Sequence, residues 1–403
     1  MKLKNNILNL YIIFNILFIM FVMFLREFEI TEYISIMYGQ TTFLIINAII
    51  ILYHLSKRKF KLEKYDIFLL ILVVFSGISC IFAKDFETAI FGNEYRHEGL
   101  LALLYYYSLF EIASFLRKKD QRIILYVILF FGLISTIVAF FEYSEYNKYI
   151  WKTDCFQQNH IFGLTTNSNF LSTKLLLCTL CCFVLYIKEN KVWQLILYLV
   201  FMYFLLLTNC LSGFVGYICA SILFLILNIK KFKKTLLIIG ITLLTVFITN
   251  HFGMSSIGSD TISMFKEVKE ISTGNLNESY GTNRVHIWKE TIKIVPKNIY
   301  FGVGIDNFLN AFGDEPLKSE RGRIIDKAHN EYLQILITEG IFTLIAYLIF
   351  VISICLKGLK MNSIYLIPVF GYLVQAFFNI SVIEVAPLLY ILMGFIAKKA
   401  KVK

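Results

Sequence analysis

The chain has 403 residues, of which 58% are hydrophobic and 16% aromatic, and its mean hydropathy is +0.68. That is more apolar surface than one water-soluble core buries, so a soluble globular domain is excluded and a bilayer is the expected solvent. A net charge of +11 could suit a nucleic-acid binder, but more than half of the basic residues fall in short connectors that alternate along the chain, which is the positive-inside pattern of a multi-pass membrane protein.

Apolar runs long enough to cross about 30 Å of hydrocarbon lie near residues 7–25, 36–54, 66–83, 99–116, 122–142, 168–187, 192–209, 211–228, 235–250, 332–356, 362–381 and 383–397. They predict an all-α bundle of about twelve transmembrane helices. The first run follows a Lys-bearing start but is too long for a signal h-region and has no small-residue cleavage site, so it reads as an uncleaved span. Basic connectors at Lys2 and Lys4, 57–64, 117–122, Lys188 and Lys191, 230–234, Lys357 and Lys360, and 398–403 place both termini in the cytoplasm. Cytoplasmic membrane is the expected location. Three parts are predicted: a nine-helix part over residues 1–250, a large extracytoplasmic loop over 251–331, and a three-helix part over 332–403.

The 8 Cys sit mainly inside apolar runs, with Cys155 in a loop, which suggests neither a disulfide framework nor a zinc site. Cys178 and Cys181 spell C-x-x-C, but within a span they read as small core residues. In the large loop the charges nearly cancel, so it is not a polyanion-binding tail. Within it, residues 284–295 predict a helix with Val285, Trp288, Ile292 and Val295 on one stripe, lying at the membrane surface and ended by Pro296.

Of the 6 His, only His54 is cytoplasmic by this topology; His97, His160, His251, His286 and His329 lie on the outer side. The working face is therefore expected outside, where no nucleotide sugar is available and a donor must arrive already activated, as a lipid diphosphate does. Lys327-Ala328-His329-Asn330-Glu331-Tyr332-Leu333 runs from the loop into the tenth span, with Glu339-Gly340 further on. A neutral imidazole at that boundary can act as a general base near pH 7. A wet interfacial His beside the helix cap Asn330 fits the same segment.

Upstream lie Gly281-Thr282-Asn283-Arg284-Val285-His286-Ile287-Trp288, then Pro296, then Gly302-Val303-Gly304-Ile305-Asp306-Asn307-Phe308. An Arg with Trp four residues on, a Pro, a Gly-x-Gly turn ending in Phe, and His-Asn-x-x-Leu entering a span with Glu-Gly form an ordered set. This set resembles the O-antigen ligase and O-antigen polymerase superfamily of bacterial membrane glycosyltransferases, over roughly residues 200–350. Arg96-His97-Glu98-Gly99-Leu100 and Asn167-Ser168-Asn169-Phe170 look like further segments of that family.

The resemblance implies a ligase-like bundle with a long outer loop. It also implies transfer of a glycan from an undecaprenyl diphosphate carrier to an acceptor hydroxyl, with inversion and with neither metal nor cofactor. Expected partners are that lipid-linked donor, membrane lipids, and a glycan, lipid or protein acceptor, with no nucleic acid. His329 takes the role of base and Arg284 that of a diphosphate contact. One departure stands out: the family's Thr-x-Ser-Arg segment reads Thr208-Asn209-Cys210-Leu211-Ser212-Gly213 here, and Leu211 cannot supply the second phosphate-binding charge.

The chemistry asks for the same parts independently. Diphosphate is a good leaving group, so the site needs cations for its charge and a base for the hydroxyl rather than a general acid. The planar fork of Arg suits phosphate oxygens. Arg96 is the first candidate to replace the missing Arg and Lys174, roughly 9 Å into its span, the second; an ion pair of Lys174 with Glu339 or Glu111 is the structural alternative. His97, Asn330 and Trp288 complete the expected substrate-binding set.

Gly302-Val303-Gly304 is not a dinucleotide loop, since no strand precedes it. Asp306, Asp326, His329 and Glu331 lack the spacing of a metal site. The rival from another class is a non-enzymatic transporter of lipid-linked saccharides, which would show internal repeats and a polar lining between both faces; neither is visible in the sequence.

Overall fold

The computed structural model describes residues 10–18, 32–56, 63–94, 96–143, 161–275, 277–313, 315–319, 322 and 324–398. His160, Cys155 and most of the basic residues expected at 57–64 and 398–403 lie outside them, as does all but 10–18 of the first predicted span.

Among the described residues the protein is helical and forms no β-strand; one isolated antiparallel bridge joins Lys318 and Ile324. Six helices are long and apolar enough to cross a membrane: Tyr38–Ser56, Lys64–Ile81, Lys118–Tyr143, Ser168–Glu189, Ile229–His251 and Glu331–Lys360. Shorter apolar helices follow the remaining predicted runs at Leu100–Ser114, Val192–Leu207, Leu211–Leu227, Leu366–Gln375 and Ala386–Ala397. The chain is thus a multi-pass membrane bundle, with six long spans among the described residues.

The chain divides into two compact units that interleave in sequence. One comprises Met1–Ile30, Lys118–Phe265 and Asn362–Gln375. At its centre the Ser168–Glu189 helix is buried almost throughout, with Asn167 as its N-cap accepting from the Asn169 N–H at 2.9 Å. Cys178, Cys181 and Cys182 are buried in it as free thiols, which is the core role read from the sequence.

The other unit comprises Thr31–Arg117, Lys266–Met361 and Ala376–Lys403. Its Glu331–Lys360 helix packs along Lys64–Ile81, and it is not continuous: Gly340 has φ +86° and ψ 177°, so the helix breaks there. The break is filled by the Gly-x-Gly turn. Val303 and Gly304 donate their N–H groups to the carbonyls of Ile337 (3.1 Å) and Thr338 (2.8 Å), and Ile341 donates to Ile299 at 2.7 Å. A broken helix needs other partners for its freed carbonyls, and the turn supplies them. The approach is so close that a Cβ on Gly302 would lie 2.2 Å from the Thr338 oxygen and one on Gly340 2.1 Å from the Tyr300 oxygen. Two glycine motifs separated in sequence are the two halves of one seam.

The large connector is more ordered than the sequence reading allowed. It contains a second helix, Ile257–Ser272, that was not predicted. The helix over Arg284–Ile294 forms as expected, with Pro296 in a following 3-10 turn, and beside the predicted apolar stripe it has a face buried in the protein. Ile287 and Thr291 are buried, whereas Ile292 is 59% exposed. Ile287 joins Phe308, Leu317, Ile325, Ala328 and Ile337 in one apolar cluster, against which Trp288, Ile294 and Val295 pack.

Candidate active site

Three loop segments of the second unit meet around His329. Each contains a non-glycine residue with left-handed backbone: His97 (φ 56°), Asp306 (φ 58°) and His329 (φ 48°). Such conformations cost of order 1–3 kcal/mol each and persist only where the surroundings over-determine them.

Two ion pairs on consecutive residues do the tethering. The Arg96 Nε donates to Asp326 Oδ2 at 2.6 Å, and the side chains are 21% and 24% exposed. Next to it, the Lys327 ammonium lies 2.5 Å from Asp306 Oδ1, with side chains 5% and 0% exposed. Asp306 also accepts the Asn93 N–H at 2.7 Å, so one carboxylate ties the Arg96 loop to the His329 turn. Burial works against each charge, yet the partner outweighs it: the pKa values of Arg96 and Lys327 rise above their ordinary values and that of Asp326 falls below.

The rest of the turn is held just as firmly. The Trp288 indole donates to the Ala328 carbonyl at 3.0 Å while its ring packs on Phe377 and Phe378. The Ala328 N–H donates to Gln334 Oε1 at 2.8 Å. Asn330 is the N-cap, its side chain accepting from Leu333 N–H at 3.0 Å, and Glu331 accepts the Ser381 N–H at 2.6 Å. The His329 ring itself makes no hydrogen bond among the described residues. Burial first, then the Arg284, Arg96 and Lys327 cations, hold its pKa down at about 4 against the pull of Asp326. The imidazole is therefore neutral at pH 7, with a lone pair available as an acceptor.

Arg284 is positioned by a run of left-handed residues, Gly281, Thr282 and Asn283. That curl brings the Gly281 carbonyl and Thr282 hydroxyl back onto the guanidinium Nη1, while Nε donates to the Phe378 carbonyl at 3.0 Å. This explains why Gly-Thr-Asn precedes the Arg.

Of the residues expected from sequence, Arg96 and Arg284 are each brought into electrostatic reach of His329. Trp288 and Asn330 brace the turn that carries His329, and His97 is buried in the Arg96 loop. Lys174 belongs to the other unit, where its ammonium donates to the Leu164 carbonyl at 2.8 Å. Leu211 is in that unit too, opening the Leu211–Leu227 helix. Sequence reasoning gave no role to Lys327 and treated Asp306 and Asp326 only as spurious metal ligands; their signal was the charge alternation Asp326-Lys327, one residue short of His329. It also passed over Glu98, a buried carboxyl that accepts from the Tyr106 hydroxyl at 2.7 Å and is pushed up to about 8 by burial. Among the described residues no cluster of three or more His, Cys, Asp or Glu side chains is placed to hold a metal ion.

Among curated proteins, none matches this chain. The family model of the O-antigen ligases matches residues 195–348, a stretch that includes Arg284, Asp306, Lys327 and His329. The chain is thus a multi-pass membrane protein in which residues 195–348 are similar to the O-antigen ligases.

Proposed function

We propose that the protein is an inverting, metal-independent glycosyltransferase that moves a glycan from an undecaprenyl diphosphate carrier to an acceptor hydroxyl, at the outer face of the cytoplasmic membrane, in surface polysaccharide synthesis. The observation that carries this reading is a neutral His329 with Arg284 and Arg96 close enough to bias its protonation. The acceptor oxygen attacks the anomeric carbon, its proton passes to the imidazole, and the bond to the diphosphate oxygen breaks with the electron pair leaving on phosphate. The arriving diphosphate offsets the two guanidinium charges. It thereby raises the basicity of His329 at the moment a base is needed. His97 is the remaining candidate for a contact to the donor.

The test is His329→Ala in purified, lipid-reconstituted protein with a lipid-linked donor. Transfer should fall by about 100-fold or more, the usual worth of a positioned base, with donor binding retained; turnover within about tenfold of wild type would remove His329 as the base. A product ladder from one donor identifies a polymerase, and a single transfer identifies a ligase.

A further inference from the structure

We infer that the buried Lys327–Asp306 pair is a positioning device for His329, acting through the backbone turn and touching no substrate. The inference rests on the role of His329 proposed above.

A buried ion pair is a poor way to gain stability. Desolvating both ions roughly cancels their attraction, and an apolar pair of similar volume is often as good or better. The surroundings offered that option, because Ile325 and Ala328 on either side of the pair's lysine already belong to the apolar cluster with Ile287, Phe308 and Ile337. What the pair supplies and an apolar contact does not is direction. Asp306 is itself fixed by the Asn93 N–H and by its place after the glycine seam, so the Lys327 ammonium is drawn to one point. His329 follows two residues later in a left-handed conformation, and its own ring contributes no hydrogen bond among the described residues that could hold it.

The neighbouring Arg96–Asp326 pair does not duplicate this function. It is about one-fifth exposed, and Arg96 is a candidate to face the donor, so its geometry can change on binding. Lys327–Asp306 is sealed and stays fixed while the donor comes and goes.

The test uses the full chain in lipid nanodiscs, with Lys327→Met, Asp306→Asn and the charge-keeping Lys327→Arg. Two quantities are read: the split between kcat and donor Kd, and the titration of the His329 ring by NMR of histidine-labelled protein, assigned with His329→Gln. A displaced base should lower kcat by about 10- to 100-fold, with donor Kd within about threefold of wild type. The charged groups facing His329 are Arg284, Arg96, Asp326 and Lys327. Removing the lysine charge should therefore move the ring titration to higher pH, whereas Asp306 pairs with Lys327 and is not among the groups that act on the ring, so Asp306→Asn should move the titration only by letting the turn shift. Lys327→Arg should leave the titration near its wild-type position while still lowering kcat, because charge is kept and geometry is not.

Wild-type kcat in folded Lys327→Arg, or equal losses in kcat and donor affinity, would overturn the inference. If Lys327→Met does not accumulate, Lys327→Arg and Asp306→Asn decide. If wild-type protein transfers nothing, the proposed function falls while a ring titration displaced in Asp306→Asn still supports the positioning claim; an unmoved titration in that variant sinks the claim whatever the activity.

Discussion

Residues 331–339 form a half-helix whose two ends are secured by different physics. At its C-terminal end the chain is held backbone to backbone, with the Gly302-Val303-Gly304 turn filling the break at Gly340. At its N-terminal end the His329 turn is held by side chains: two ion pairs, an indole N–H and an Asn cap. The first arrangement tolerates no added atom and carries no charge, which suits a scaffold. The second is built from separable side-chain contacts, so each can be altered while the fold survives, and it surrounds an imidazole with charges that a substrate can counter.

That contrast can be broken by substitution. The largest effect is expected from Gly340→Ala, where a Cβ would sit 2.1 Å from the Tyr300 oxygen at a backbone φ of +86°. Destabilisation of more than about 3 kcal/mol should follow, read as loss of folded protein or a large drop in Tm; a Tm near wild type would show that the seam is not rigid. Arg284→Lys comes next. The protein should fold normally but lose transfer on the order of 100-fold, because an ammonium cannot reproduce the guanidinium fork, and wild-type rates would remove Arg284 from the site.

The pH dependence is a subtler measure. His329 stays neutral down to about 4 in the folded protein, whereas its ordinary value is 6.5. Between those values the unfolded chain binds the extra proton, so stability rises with pH across the window and falls as the medium is acidified through it. His329→Gln should flatten Tm against pH from about 6.5 to about 4, and an unchanged slope would contradict a neutral folded imidazole. Smallest is Trp288→Phe, which keeps the ring packing on Phe377 and Phe378 but removes the bond to Ala328. It should cost about 1 kcal/mol, measured as a modest fall in Tm, and no change would mean the indole is not bracing the turn.

The sequence by itself determined the solvent and most of the helices, because a run of some twenty apolar residues has few stable alternatives to spanning a bilayer. The ordered motif also singled out His329 and Arg284, and Arg284 lies within electrostatic reach of that ring. It did not reveal the Ile257–Ser272 helix, although Ile262, Phe265, Val268 and Ile271 recur at three-residue intervals there, because the segment is polar overall. Nor did it reveal the buried face of the Arg284–Ile294 helix, since which of two adjacent stripes faces inward depends on what packs against it. The partners of Asp326 and Lys327 were beyond reach for the same reason. Arg96 lies 230 residues from Asp326 in the chain, and no local pattern encodes a contact at that separation. Only the tertiary structure decided that these charges pair with each other, leaving an uncharged imidazole among them.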